Sequence, residues 1–194
     1  MSKDAVDNGR RRFLLWSTSA VGAAGAVGIA VPFVKSWSPS ARAEAAGAPV
    51  EVDLSKLQDG QYLKTEWRGK PIFVVKRSQE TVDKLASLND MLKDPKSEIA
   101  DTDQPEYISE IGRSIKDDVL VIVGISTHLG CVPQHQEQLT SGEGPGFFCP
   151  CHGSKFDLAG RVFSNVPASK NLQVPPYSYV DDNTIMIGVD QGAA

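Results

Sequence analysis

The chain of 194 residues is 41% hydrophobic and 23% charged, with 12 prolines and 17 glycines, which suits one globular domain plus an appendage. The formal net charge of −4 is uneven: residues 1–49 carry six Lys/Arg against three Asp/Glu, and residues 50–194 carry fourteen against twenty-one. No basic stripe with interleaved aromatics is present, which argues against nucleic-acid binding, and the acidic part reads as a soluble surface or one that steers a basic protein partner.

Residues 13–34 form a run of 22 residues without a charge. As a helix rising ~1.5 Å per residue, this run spans ~33 Å, enough to cross a hydrocarbon core of ~30 Å. Its Gly and Ala content lowers hydropathy but permits close helix packing in a membrane. Arg10, Arg11 and Arg12 precede the run and Lys35 follows it, so the amino terminus is expected on the cytoplasmic side and the domain outside. Gly9-Arg10-Arg11-Arg12-Phe13-Leu14 resembles a twin-arginine export signal, a route taken by proteins folded around their cofactor in the cytoplasm. Ala41-Arg42-Ala43 offers the alternative of a cleaved signal peptide. The apolar run exceeds the ~7–15 residues of such segments, which favours a retained anchor. Residues 1–35 are therefore expected to be signal and single transmembrane anchor, and 36–49, rich in small residues, a flexible tether.

From residue 50 the signals are mostly of strands. Runs at 50–54, 61–67 and 71–77 are separated by Asp59-Gly60 and Arg68-Gly69 turns. Ser78 is placed to cap a helix over 79–93, with Val82, Leu85, Leu88 and Leu92 on one face. Residues 94–118 are polar, contain proline and are expected to be irregular. The nearly continuous apolar run 119–125 predicts a buried strand. Strands at 162–163, 172–174, 177–180 and 184–189, with Asp182-Asn183 as a hairpin turn, complete the set. The fold class is mainly β: an antiparallel β domain over 50–194 with one helical insertion, preceded by a single transmembrane helix.

The strand at 119–125 leads into Ser126-Thr127-His128-Leu129-Gly130-Cys131, and 17 residues later comes Cys149-Pro150-Cys151-His152-Gly153-Ser154. All three cysteines and two of the three histidines sit in these segments. Thiolate and imidazole together select iron–sulfur, zinc or copper over hard cations. The residues alone leave several readings open: a structural zinc site of Cys₃His or Cys₂His₂ type, a disulfide with a smaller metal site, or a Cys–His nucleophile without an evident orienting partner. Export to an oxidising compartment favours at least one disulfide.

The two segments resemble the paired cluster-binding loops of Rieske iron–sulfur proteins, Cys-Thr-His-Leu-Gly-Cys followed by Cys-Pro-Cys-His-Gly-Ser. The resemblance extends from the anchor to the carboxyl end and is closest to the Rieske subunits of bacterial quinol–cytochrome c oxidoreductase, the cytochrome bc complex. It implies a Rieske-type antiparallel β domain with a [2Fe–2S] cluster in which two histidines replace two cysteines on one iron. His128 and His152 would hold the outer iron and Cys149 the inner one. Cys131 and Cys151 would form a disulfide, and the Ser154 hydroxyl would donate to a bridging sulfide. His128 and His152 would also be the catalytic pair, one of them meeting the quinol and coupling proton to electron transfer. The implied partners are cytochrome b, a c-type cytochrome, and ubiquinol or another quinol, within a dimeric complex. The implied location is the bacterial inner membrane, single-pass, with the globular domain in the periplasm.

Three positions depart from the pattern. Ser126 stands where the family has its second inner-iron cysteine, Phe156 where many members carry a tyrosine, and 165–169 is a diluted form of a proline-rich segment covering the cluster. A serine ligates iron only as an alkoxide, a harder donor that lowers the potential, so an impaired cluster is expected. The alternatives are a serine-ligated altered cluster, a cluster-free structural subunit of the same complex, and the Rieske subunit of another exported oxidoreductase such as arsenite oxidase. The anchor and the helical insertion count against the last. Soluble dioxygenase ferredoxins lack both anchor and disulfide pair.

Overall fold

The apolar run folds as helix α1 (Asn8–Ser36), 29 residues long, in a computed structural model that describes residues 7–98, 104–139 and 143–190. Residues 1–6 of the expected signal segment, and 99–103, 140–142 and 191–194 of the expected β domain, lie outside the described residues. Asp7 caps α1: its carboxylate accepts from the Gly9 N–H (2.9 Å) and the Arg10 N–H (3.3 Å). No α1 residue is buried, and Phe13, Trp16, Val21, Ile29 and Phe33 are each about 70% exposed. An all-round apolar helix of this length suits lipid rather than water. Within the expected tether the structure places a second helix, α2 (Ala41–Gly47), whose first turn is capped by the Ser40 hydroxyl accepting from the Ala43 N–H (3.2 Å). The alanine-rich stretch there has the highest helix propensity available, which the reading of small residues as flexible overlooked.

The chain divides into two units, Met1–Ala45 and Ala46–Ala194. The second unit contains β1 (Val50–Asp53), β2 (Tyr62–Trp67), β3 (Lys70–Lys76), α3 (Gln79–Leu85) and β4 (Val119–Val123). After these come β5 (Gln134–Gln136), β6 (Gly146–Phe148), β7 (Lys155–Asp157), β8 (Tyr177–Asp181) and β9 (Thr184–Ile187). They pair as three antiparallel sheets of three strands among the described residues, ordered β1–β9–β8, β2–β3–β4 and β5–β6–β7. The core lies where they meet: Ile72, Val74, Leu120, Ile122, Phe147, Leu172, Tyr177 and Ile185 are wholly buried. Strand β4 is buried at every position, which is why its sequence shows a continuous apolar run rather than alternation.

The expected helix over 79–93 is α-helical only to Leu85 and continues as a 3-10 turn, Ala86–Met91. Ser87, Asn89 and Asp90 compete with the backbone for hydrogen bonds there, and the Ser87 hydroxyl already donates to the Lys84 carbonyl (2.7 Å). Leu92 then leaves the helical path to bridge Phe163. The expected strand at 162–163 consists of isolated bridges, because the Val162 N–H is taken by the Asn171 side chain (2.9 Å). The expected strand at 172–174 is a buried extended crossing, held where the Leu172 N–H donates to Gly160 (2.8 Å) and Gln173 accepts from Val123 (2.8 Å).

The described part of 94–118 has no helix or strand and is held by buried arginines instead. The Arg77 guanidinium donates to the Gly112, Asp117 and Leu158 carbonyls and to the Ser114 hydroxyl, at 2.6–2.9 Å. Burial pushes the pKa of Arg77 and of Arg113 down to about 10, yet both remain cations at neutral pH.

Candidate metal centre

The third sheet positions the soft ligands. Loop 149–154 is the tip of the β6–β7 hairpin, and loop 126–131 runs from β4 towards β5. Gln134 at the start of β5 pairs with Phe148 at the end of β6, so one short ladder sets the exit of one loop beside the entry of the other.

The loops close in the same way. In the first, the Ser126 N–H donates to the Cys131 carbonyl (2.7 Å) and the Gly130 N–H returns to the Ser126 carbonyl (3.0 Å). In the second, the Cys149 N–H donates to the Ser154 carbonyl (2.8 Å) and the Gly153 N–H returns to the Cys149 carbonyl (2.9 Å). Gly130 and Gly153 both have positive φ, +82° and +78°, a conformation that a side chain would strain. By this correspondence Ser126 occupies in its loop the place that Cys149 occupies in the other. Both are 2% exposed.

Between the loops, the His128 and His152 rings meet edge to face with centroids 4.8 Å apart. His128 Nδ1 is buried without a hydrogen-bond partner, an arrangement that costs about 1–3 kcal/mol unless a ligand takes up the lone pair or proton. His152 is exposed at the tip beside Pro150, with Leu129 70% and Val132 41% exposed around the same loops. Cys131 and Cys151 form a disulfide that joins the loops, as the family resemblance implied, and Cys149 is a buried free thiol. The three sulfur atoms lie within 4.8 Å of one another. Two of them are bonded together, so they do not make a three-thiolate metal site.

The surroundings fix this arrangement. The Thr127 hydroxyl donates to the Lys170 carbonyl (2.6 Å). Ser154, fully buried, accepts from the Ala168 N–H (3.0 Å), which leaves its own proton free to donate. Lys93 donates to the Val166 and Ala168 carbonyls (2.7 and 2.6 Å), so 165–169 is tied from both sides despite its diluted proline content. Phe156 is wholly buried opposite Phe147 and brings no hydroxyl. Sequence reasoning overlooked Lys93 as a residue of this region, since a lone lysine at the end of the expected helix carries no signal of its long-range target.

A Rieske cluster takes two imidazoles and two thiolates. The site supplies both imidazoles, one with an orphaned buried nitrogen, and one buried thiol. At the fourth place stands the Ser126 hydroxyl, which accepts from its own loop at the His128 N–H (3.4 Å). The donor set therefore fits the imidazole side of the group and falls one thiolate short on the other.

Comparison with known proteins gives the family. Residues 49–177 match the Rieske [2Fe-2S] domain, and residues 1–40 match a family described as ubiquitinol-cytochrome C reductase Fe-S subunit TAT signal. The ubiquinol-cytochrome c reductase iron-sulfur subunit of Allochromatium vinosum is 52% identical, over 100% of this chain and 95% of that protein. The protein of the same name from Bradyrhizobium diazoefficiens is 43% identical, over 92% of this chain and 94% of its own length. A chain of a hyperthermophilic respiratory complex III is 29% identical with a TM-score of 0.47, covering 87% of this chain and 96% of that one. The chain belongs to the Rieske [2Fe–2S] family, among the iron–sulfur subunits of ubiquinol–cytochrome c reductase.

Proposed function

We propose that this chain is the iron–sulfur subunit of a bacterial quinol–cytochrome c oxidoreductase, an electron-transfer subunit between a quinol and a c-type cytochrome. The observation that carries the proposal is the meeting of two similarly closed loops, one holding His128 and the other His152 and Cys149, whose imidazole rings meet edge to face and whose Cys131 and Cys151 clamp them with a disulfide. His128 and His152 hold the outer iron and Cys149 the inner one, and the Ser154 proton, left free by its contact with Ala168, donates into the site. When bound, a [2Fe–2S] cluster supplies one-electron transfer. The exposed imidazole of His152, on a pair of loops that also expose Leu129, Val132 and Pro150, is the group that meets the quinol headgroup. Residues 1–35 anchor the chain in the inner membrane with the amino terminus in the cytoplasm, 36–49 link anchor to head, and 50–194 form the periplasmic head. Cytochrome b and the c-type cytochrome are its partners, in a dimeric complex.

Ser126 makes the cluster the weak point of this chain. Iron and inorganic sulfide counted in the purified full chain are expected well below two each per chain, with a Rieske paramagnetic resonance signal absent or faint. Ser126→Cys is expected to bring both counts to about two and the signal with them. A folded Ser126→Cys chain that takes up no iron would overturn the assignment of the loops. The buried serine also favours a second reading, a subunit that stabilises the complex without redox work. Full iron content in the unaltered chain rules that reading out.

A further inference from the structure

We propose that Lys93 is a positioning residue of this centre: it holds Ala168 from outside and so fixes the direction in which the buried Ser154 hydroxyl donates, on the reading above that this hydroxyl donates into the site. The backbone of Lys93 is itself pinned. Residues 91–93 run antiparallel to 162–164: the Ser164 N–H donates to the Met91 carbonyl (2.7 Å), Leu92 bridges Phe163, and the Lys93 N–H donates to the Val162 carbonyl (3.0 Å). From that base the exposed side chain reaches over the turn that follows. Its ammonium donates to the Val166 carbonyl (2.7 Å) and to the Ala168 carbonyl (2.6 Å).

The turn needs this hold. Asn165 has a φ of +58°, in the left-handed region, and Pro167 is the one residue of 165–169 whose ring fixes its φ. Both bonds from the ammonium are charge-assisted and go to carbonyls two residues apart, which restrains the torsions between them. Ala168 is where this restraint meets the site. Its carbonyl faces Lys93, its N–H donates inward to Ser154 Oγ (3.0 Å), and both Ala168 and Ser154 are fully buried. That bond occupies one acceptor position of the hydroxyl, so the Ser154 proton lies in a direction set by where Ala168 sits. The Thr127 hydroxyl meets the same stretch at the Lys170 carbonyl (2.6 Å), so 166–170 touches both loops while Lys93 comes from outside them.

The test uses the full chain in detergent and reads single amides by hydrogen exchange. In Lys93→Met, which keeps the stem and loses the donors, the Ala168 amide should exchange about tenfold faster or more. The Phe163 amide, bonded to the Lys155 carbonyl (3.1 Å), should keep its rate. Lys93→Arg, whose guanidinium can still fork to two carbonyls, should restore protection at Ala168. Equal acceleration of both amides, or no rescue by arginine, overturns the proposal. A second arm uses Ser126→Cys chains that carry a cluster, in which loss of the Ser154 donor lowers the reduction potential. Lys93→Met should lower the potential as well, Lys93→Arg should return it, and the Lys93→Met shift should vanish when Ser154→Ala is present. A shift that survives Ser154→Ala reports only the field of a lost charge and overturns the positioning role, as does an unchanged potential. If Ser126→Cys takes up no iron, the assignment of the loops fails, and exchange at Ala168 with and without Lys93→Met still decides the role of Lys93.

Discussion

Ser126 and Cys149 occupy corresponding places in two loops that close through the same pair of backbone hydrogen bonds, and they differ by one atom, oxygen for sulfur. That atom decides the chemistry of the site, because a hydroxyl is far less acidic than a thiol and a harder donor. Phe156 acts at the same scale. It is wholly buried on β7, so Phe156→Tyr introduces a hydroxyl that must find an acceptor, at a cost of about 1–3 kcal/mol if it fails. In a Ser126→Cys background the family resemblance makes the ligand sulfur the expected acceptor, and a donor to it would stabilise the reduced state. Protein-film voltammetry of that pair should show a higher potential with the tyrosine, and an unchanged potential would place the hydroxyl away from the cluster.

The third histidine gives a pH prediction. His135 lies between the rings of Tyr62 (5.0 Å) and Phe147 (5.7 Å), and its Nε2 is buried without a partner. Burial lowers its pKa from 6.5, and the Glu137 carboxylate only partly opposes this. The unfolded chain therefore binds this proton at a higher pH than the folded one. The histidine's contribution to stability is complete above pH 6.5 and is lost as the pH falls below it. Melting temperatures of the unaltered chain should drop between pH 7.5 and 5.5 by more than those of His135→Phe, and equal drops would rule this out.

At the scale of elements, buried charge ties the connections to the strands. Arg161 and Asp157 are both fully buried and paired at 2.7 Å. Arg161 also donates to the Leu85 carbonyl (2.7 Å) and the Asn89 side chain (2.9 Å), which ties the helical insertion to the hairpin that carries Cys149. Removing one partner of such a pair leaves the other buried and unpaired, so Arg161→Ala should destabilise the domain by about 3–5 kcal/mol in urea unfolding. A loss no larger than that for Lys84→Ala, whose ion pair with Glu80 is solvent-exposed, would show that the insertion docks without it. Sequence patterns revealed β1 to β4, β8 and β9, because alternation or continuous apolarity marks them. The strands β5 to β7 escaped notice because each is three residues long and includes polar or glycine positions, too short for a period to register. These strands bring the two loops together.

For the whole molecule, the two units present different surfaces. Helix α1 exposes apolar side chains all round, whereas the second unit buries its own core and carries the acidic surface. Removal of residues 1–45 should give a head that stays soluble without detergent and unfolds in a single cooperative transition, checked by sedimentation and circular dichroism. Aggregation of the truncated head would mean that its surface needs the anchor or a partner to cover it. The amino-acid sequence by itself determined the donor types, the serine at position 126, the length of the apolar run and the fold class, since these rest on residue identity and local period. The tertiary structure alone decided that the two loops close alike, that Cys149 lies beside the disulfide, and that Lys93 and Arg161 hold the surrounding segments. Those are contacts between residues far apart in the chain, set by strand pairing and burial that no local pattern records.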